Sequence, residues 1–172
     1  MALRKKEYSK ITLSDLSADI MSNLEQTDEF RAASSLALYH ALPGEVQTAD
    51  FIEKWYRKKQ LLLPVVEGND LRLLVYTGPE AVQKGAFGIL EPMESKSCPE
   101  EKEIDLIIVP GVAFDRQKNR MGRGKGYYDR LLASLSIPKI GLCFDFQLFD
   151  EIPTELFDKK MDMLITEKEV IR

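Results

Sequence analysis

The sequence predicts a single three-layer α/β/α domain that spans residues 1–172 and is built on a mainly parallel β-sheet. Short apolar runs alternate with segments of helical periodicity, which is typical of sheets with helices on both faces. The run at residues 104–109 is apolar at nearly every position, as in a strand covered on both faces of a parallel sheet. A length of 172 residues suits one domain with its own core.

Six apolar runs are predicted to form strands: residues 36–39, 61–66, 71–76, 104–109, 140–144 and 161–165. Residues 67–70, with the sequence Glu-Gly-Asn-Asp, separate the second and third runs and have the composition of a hairpin turn. Pro64 indicates a strand end or a sheet edge, because proline cannot donate a ladder hydrogen bond. Residues 91–102 are rich in polar residues and are expected to form a surface connection.

Three segments between these runs are predicted to be helical. Apolar residues recur at four-residue spacing over residues 16–24, and Ser14 is placed to cap that helix. Thr48 is placed to cap a second helix over residues 49–59. A third helix has an apolar stripe formed by Tyr127, Tyr128, Leu131, Leu132 and Leu135. We expect it to stop before Pro138.

Composition excludes several classes of protein. No apolar stretch approaches 18 residues, and the basic N-terminus is not followed by the apolar core of a signal peptide, so we expect a cytoplasmic protein without membrane partners. Two cysteines, Cys98 and Cys143, are too few for a disulfide framework or a four-cysteine zinc site. The chain is expected to act as a monomer.

Charge is distributed unevenly along the chain. The net charge is −4, which argues against a general nucleic-acid partner. Residues 116–130 nevertheless contain six basic residues and one acid, whereas residues 145–169 contain eight acids and three lysines. One concentrated basic segment in an acidic chain favours binding of one small polyanion.

That basic segment has the pattern of a phosphate-binding loop. Gly122, Gly124 and Gly126 alternate with other residues between the predicted strand at 104–109 and a predicted helix. Ligands of open α/β sheets bind beyond the carboxyl ends of strands, and glycine N–H groups before a helix can converge on phosphate oxygens. The added cations are Arg120, Arg123 and Lys125. The pattern is neither the dinucleotide fingerprint nor the P-loop, and a tight connection without a ligand is the alternative.

The residues after the loop allow more than one interpretation. Asp129 suits Mg²⁺, which commonly takes one or two carboxylates together with phosphate oxygens. The alternatives are that it complements the helix dipole or pairs with Arg123. Tyr127 and Tyr128 would either stack on a flat ligand or belong to the core.

Residues 110–132, which read PGVAFD at their start and RMGRGKGYYDRLL at their end, closely resemble the signature of the 5-formyltetrahydrofolate cyclo-ligase family, also called 5,10-methenyltetrahydrofolate synthetases. Further segments resemble the family in order along nearly the whole chain: residues 39–48, 63–64, 87–92, 141–147, 152–153 and 158–167.

The resemblance implies an ATP- and Mg²⁺-dependent ligase that converts 5-formyltetrahydrofolate to 5,10-methenyltetrahydrofolate, on a fold shared with some sugar-phosphate isomerases and CoA transferases. It implies catalytic roles for Arg120, Arg123 and Lys125. It implies nucleotide contacts from Arg4, Lys5, Arg120, Met121, Gly122, Arg123, Gly124, Lys125, Gly126, Tyr127 and Tyr128. It implies folate contacts from His40, Glu45, Phe87, Arg123, Tyr127 and Tyr128. It implies Mg²⁺ ligation by Asp129 and Asp158.

Alternatives to these assignments follow from the residues themselves. Glu45 would otherwise be a solvent-exposed acid before a helix, and Asp158 one more acid of an acidic tail. The chain departs from the family pattern in having no lysine before Arg4 and in having Phe157 where a histidine is common. The competing functions are an isomerase or transferase of a phosphorylated metabolite, and a non-catalytic module that binds folate or nucleotide.

Overall fold

The computed structural model describes residues 9–85, 88, 90–93 and 103–172. Within these residues the helices are α1 (Lys10–Gln26), α2 (Asp28–Ala32), α3 (Ala49–Trp55) and α4 (Tyr127–Ser134), with 3₁₀ turns at Pro79–Ala81 and Asp145–Gln147. The strands are β1 (Ser35–Ala37), β2 (Gln60–Glu67), β3 (Asp70–Val75), β4 (Val82–Lys84), β5 (Leu90–Pro92), β6 (Leu106–Val109), β7 (Ala113–Asp115), β8 (Arg120–Met121), β9 (Lys139–Leu142), β10 (Leu148–Phe149), β11 (Met163–Ile165) and β12 (Val170–Ile171).

The main sheet has the strand order β12-β11-β9-β6-β1-β2-β3. Its inner strands, from β11 through β9, β6 and β1 to β2, are all parallel, and only the edge strands β12 and β3 are antiparallel. The mainly parallel sheet expected from the sequence is therefore confirmed. Two small sheets, β10-β7-β8 and β4-β5, accompany it.

Each face of the main sheet carries its own apolar core. In β6 the side chains of Leu106 and Ile108 join one core, and those of Ile107 and Val109 join the other. Helices α1 to α3 cover the first face, whereas α4 contributes Leu132 to the second. Alternate residues of a strand point to opposite faces, so a strand buried on both must be apolar throughout. The sheet therefore lies between two helical layers, and the three-layer α/β/α prediction is confirmed.

All six predicted strands are present, with bounds shifted by at most two residues. The predicted hairpin joins β2 to β3, and Gly68 adopts a φ of 61° in its turn. The edge-strand interpretation of Pro64 is wrong, because β2 lies between β1 and β3. Pairing of β1 with β2 ends at Leu62, however, so Pro64 lies in the part of β2 that extends beyond β1.

The predicted helix caps are only partly correct. Helix α1 begins at Lys10, and the hydroxyl of Ser9 accepts a hydrogen bond from the Thr12 N–H at 3.1 Å, so the assignment of Ser14 as the cap is wrong. Thr48 does precede α3, but its hydroxyl donates to the Tyr39 carbonyl at 2.6 Å and does not cap the helix. Helix α3 ends at Trp55, before the predicted end, and α4 ends before Pro138 as expected.

The prediction that residues 91–102 form a surface connection is wrong for the first of these residues. Glu91 is buried and lies in β5, where it pairs with Gln83 of β4. Residues 94–102 lie outside the described residues. No helix in the described part of the chain is both long enough and apolar enough to cross a membrane.

Candidate active site

The candidate site lies at the point in the middle of the sheet from which successive strands are added in opposite directions. The chain runs from β1 to β2 on one side, and β6, β9 and β11 fill the other side. Ligands of open α/β sheets bind at such a switch point, beyond the carboxyl ends of the strands. A cavity of about 170 Å³ opens there. Its walls include Tyr39, His40, Glu45, Glu91, Pro110, Gly111, Arg120, Arg123, Lys125, Tyr127, Tyr128 and Asp129.

Glu45, a predicted folate contact, and Arg123, a predicted contact of both nucleotide and folate, contact each other across this cavity. The Oε1 atom of Glu45 accepts hydrogen bonds from Nη2 and Nε of Arg123 at 3.0 and 3.2 Å. Its Oε2 atom accepts a bond from the main-chain N–H of Leu42 at 2.9 Å. The Glu45 side chain is only 9% exposed, so it is not a solvent-exposed acid. Folate-binding and phosphate-binding candidates therefore share one space.

Arg120 and Asp129 form a second ion pair at the cavity wall. The Nη2 atom of Arg120 donates to Oδ1 of Asp129 at 2.8 Å, and the two side chains are 3% and 17% exposed. The suggestion that Asp129 pairs with Arg123 is therefore wrong, because its partner is Arg120. The Oδ2 atom of Asp129 accepts no hydrogen bond from the described residues.

The glycine loop between these pairs takes a conformation that glycine favours. Gly124 and Gly126 have φ values of 83° and 66°, in the left-handed region where a side chain is strained. Gly126 immediately precedes α4. Within the described ranges no group accepts a hydrogen bond from the main-chain N–H of Gly124. Arg123 and Lys125 are exposed on the same loop, so two cationic side chains lie beside these N–H groups, an arrangement that favours an anion.

The two tyrosines after the loop differ in their surroundings. The ring of Tyr127 lies 5.9 Å from Nζ of Lys125 and 5.4 Å from the guanidinium of Arg130. Tyr128 packs against the core of the second face and carries the guanidinium of Arg120 at 5.5 Å from its ring. Burial, with a further contribution from the charge of Glu45, raises the pKa of Tyr128, so this phenol stays protonated at neutral pH.

His40 forms a neutral part of the wall. Burial lowers the pKa of its imidazole, and the nearby charge of Glu53 only partly opposes that effect. Its Nε2 atom is buried, with no hydrogen-bond partner among the described residues. The ring lies edge-on to Tyr76 at 6.4 Å, and the Tyr76 hydroxyl donates to Glu53 at 2.8 Å.

The structure places the two predicted metal ligands differently. Asp129 lines the cavity, whereas Asp158 is not part of its wall and accepts a hydrogen bond from the Glu155 N–H at 2.7 Å. In the described ranges no three His, Cys, Asp or Glu side chains are grouped closely enough to hold a metal ion. Mg²⁺ needs only one or two carboxylates when phosphates and waters supply its other ligands, so Asp129 fits this role.

Three predicted contacts, Arg4, Lys5 and Phe87, lie outside the described residues. The remaining predicted nucleotide contacts, Met121, Gly122, Gly124 and Gly126, lie along β8 and the glycine loop.

Sequence reasoning missed Gln147, a residue that shapes the cavity. Its side chain is buried and donates to the carbonyls of Gly111 and Val112 at 3.3 and 3.1 Å. It also accepts from the Phe144 N–H at 3.0 Å. Gln147 therefore ties the segment after β6, which forms part of the wall, to the turn after β9. No sequence pattern marks such a contact, because it joins residues more than thirty positions apart.

Glu91 was also missed. Its carboxylate is buried at the cavity wall, and a Cβ atom at Gly85 would overlap it. Gly85 thus provides room for this side chain. The sequence feature that points to Glu91 is its place in residues 87–92, which resemble a segment of the family.

Comparisons with known proteins agree with the geometry. The profile of the 5-formyltetrahydrofolate cyclo-ligase family matches residues 1–167. A probable 5-formyltetrahydrofolate cyclo-ligase of Schizosaccharomyces pombe is 30% identical over an alignment that covers 100% of this chain and 99% of the relative. The 5-formyltetrahydrofolate cyclo-ligase of Haemophilus influenzae is 34% identical, with 80% of this chain and 78% of the relative covered.

Solved structures give the same result. The NMR structure of the Aquifex aeolicus 5,10-methenyltetrahydrofolate synthetase superposes with a TM-score of 0.89 at 39% identity, covering 98% of this chain and 87% of that one. A synthetase from Mycoplasma pneumoniae superposes with a TM-score of 0.75 at 24% identity, covering 96% and 93% of the two chains, and supports the fold.

Proposed function

The chain belongs to the 5-formyltetrahydrofolate cyclo-ligase family, and from this premise we propose that it converts 5-formyltetrahydrofolate to 5,10-methenyltetrahydrofolate with ATP and Mg²⁺, releasing ADP and phosphate. The observation that carries this proposal is the position of Glu45 and Arg123. A candidate for folate binding and a candidate for phosphate binding lie 3.0 Å apart at one cavity. Direct transfer of a phosphoryl group to the folate requires both substrates in one place.

The reaction proceeds by activation of the formyl oxygen. The formyl oxygen on N5 attacks the γ-phosphorus of ATP, an O–P bond forms, and the bond to the β-phosphate oxygen breaks to release ADP. The N10 lone pair then attacks the formyl carbon and forms the new C–N bond. The C–O bond breaks, phosphate departs with the former formyl oxygen, and the N10 proton passes to solvent.

The glycine loop binds the phosphates. Arg123 and Lys125 supply full charges from exposed positions, and the N–H of Gly124 supplies an uncommitted donor. Phosphoryl transfer depends mainly on positioning and on neutralising charge on the transferred group, which these residues provide. The transferring oxygens therefore need to lie near this loop.

Glu45 binds the folate head. The pterin ring offers neighbouring N–H donors, and a buried carboxylate is a strong acceptor for them. Both carboxylate oxygens of Glu45 already accept hydrogen bonds, so folate has to replace the bonds from Arg123. The phosphates of ATP offer Arg123 a new partner at the same time. Folate then replaces Arg123 as the partner of Glu45, and phosphate replaces Glu45 as the partner of Arg123.

Mg²⁺ bound at Asp129 would neutralise negative charge on the phosphates. The Oδ2 atom of Asp129 is available for this ligation among the described residues. The role of Asp158 as a second ligand stays a prediction, as do the contacts of Arg4, Lys5 and Phe87. The expected cytoplasmic location and monomeric state also stay predictions, and analytical ultracentrifugation of the purified chain checks the second.

The test is the absorbance of methenyltetrahydrofolate formed from 5-formyltetrahydrofolate, measured with ATP and Mg²⁺ and with each omitted in turn. We expect product only when both are present. Folded protein that binds both ligands without forming product would support the non-catalytic module instead. Product formation independent of ATP would contradict the proposed reaction.

A further inference from the structure

We propose that Arg120 is a positioning residue, which acts on nucleotide binding through Asp129 and does not itself contact the phosphates. The inference rests on the proposed function, because it concerns the binding of a nucleotide together with Mg²⁺. It differs from the role that the sequence suggests for Arg120, which is a direct phosphate contact.

The guanidinium of Arg120 is enclosed. The side chain is 3% exposed, Nη2 donates to Oδ1 of Asp129 at 2.8 Å, and Nη1 donates to the Pro110 carbonyl at 3.4 Å. The ring of Tyr128 lies 5.5 Å from the guanidinium carbon. The backbone of Gly122 is so close that a Cβ atom there would lie 2.9 Å from Nη1. Nε is buried without a hydrogen-bond partner among the described residues, so almost none of this group is exposed to a phosphate in the cavity.

Arg123 has the opposite environment. Its side chain is 51% exposed, and it reaches across the cavity to Glu45. A phosphate that contacts Arg123 replaces its bonds to Glu45 and leaves the contact of Arg120 with Asp129 in place. To reach Arg120 it would have to displace Asp129 or the Pro110 carbonyl, and removing a partner from a buried charge is costly. Arg123 is therefore placed to contact phosphate, whereas Arg120 is placed to hold Asp129.

The effect of Arg120 is to hold one oxygen of Asp129. With Oδ1 fixed by Arg120, Oδ2 is the oxygen left for Mg²⁺. Groups that hydrogen-bond a ligating carboxylate orient it, and their loss typically weakens metal binding about 10- to 100-fold. The planar guanidinium donates to Asp129 and Pro110 together, an arrangement that the single ammonium of a lysine does not reproduce.

The experiment is calorimetric titration of the whole chain with ADP, in Mg²⁺ and in EDTA. The proteins are wild type, Arg120→Lys, Asp129→Asn and the double variant. Arg116→Lys is the matched control, since Arg116 is an exposed arginine paired with Glu169 at 2.8 Å. Arg120→Gln keeps a donor without a buried charge and gives the same comparison if Arg120→Lys does not fold.

We expect Arg120→Lys to weaken ADP binding about tenfold or more in Mg²⁺ and less than about twofold in EDTA. In the Asp129→Asn background it should add no further loss, because both changes act on the same contact. An equal loss in EDTA, or additive losses in the double variant, would overturn the inference while leaving the proposed function intact. Failure of the wild-type chain to bind ADP in either condition would defeat both.

Discussion

Replacing Glu45 with glutamine keeps the shape of the side chain and removes its charge. In the structure three donors converge on the two carboxylate oxygens, two N–H groups from Arg123 and one from Leu42. Glutamine has one acceptor oxygen and one donor group. Either orientation of the amide therefore turns a donor toward another donor at a site that is only 9% exposed.

The magnitude follows from the loss of charge-assisted hydrogen bonds to folate. Such bonds contribute about 1.5–3 kcal/mol each. Since 1.4 kcal/mol corresponds to a factor of ten, we expect KM for 5-formyltetrahydrofolate to rise about 10- to 100-fold. KM for ATP should change by less than about threefold, because Glu45 repels phosphates and does not bind them.

The assay is initial-rate formation of methenyltetrahydrofolate at varied folate and varied ATP. Glu169→Gln is the matched control, because Glu169 also pairs with an arginine, Arg116, but does not line the cavity. That variant should retain wild-type KM values. An unchanged KM for folate in Glu45→Gln, or equal increases in both KM values, would refute the assignment of Glu45 to the folate.

The other predictions concern nucleotide use, packing and pH. Lys125→Ala should raise KM for ATP about tenfold and leave KM for folate within about twofold, and comparable increases in both would contradict its role. Gly141→Ala should lower the free energy of unfolding by about 1–3 kcal/mol in urea titrations, because a Cβ atom there lies 2.7 Å from both Leu164 and Phe114. Burial lowers the pKa of His40 below its ordinary 6.5, so the unfolded chain binds that proton more readily and stability falls as pH drops below 6.5. His40→Leu should remove this part of the acid-induced loss of stability. The measurement is the decrease in the free energy of unfolding in urea between pH 8 and pH 5. An equal decrease in the variant and the wild type would contradict the prediction.

The central strands could be predicted because burial on both faces leaves a continuous apolar run. Residues 106–109 show this, since all four are buried. The strands that sequence reasoning missed are two or three residues long, such as Leu148–Phe149 and Val170–Ile171, and such lengths show no periodicity. The first helix cap was misplaced because serine residues occur at both positions 9 and 14, and only the backbone path distinguishes them.

The candidate site was predictable where its residues are neighbours in sequence. Gly122, Gly124 and Gly126 form one loop, and their spacing together with the cations of the same segment indicated phosphate binding. The contact of Glu45 with Arg123 joins residues 78 positions apart and depends on the sheet order. The burial of a side chain likewise depends on tertiary structure. The position of Arg120 in the motif therefore did not predict that its side chain is buried.

The most direct test of the proposed reaction is to follow an oxygen isotope from the formyl group. The substrate is 5-formyltetrahydrofolate labelled with ¹⁸O at the formyl oxygen, incubated with the chain, ATP and Mg²⁺. Because the formyl oxygen leaves bound to phosphorus, each methenyltetrahydrofolate formed should release one phosphate that carries the label. Unlabelled phosphate beside methenyltetrahydrofolate, or product formed without ATP, would contradict phosphorylation of the formyl oxygen at this cavity.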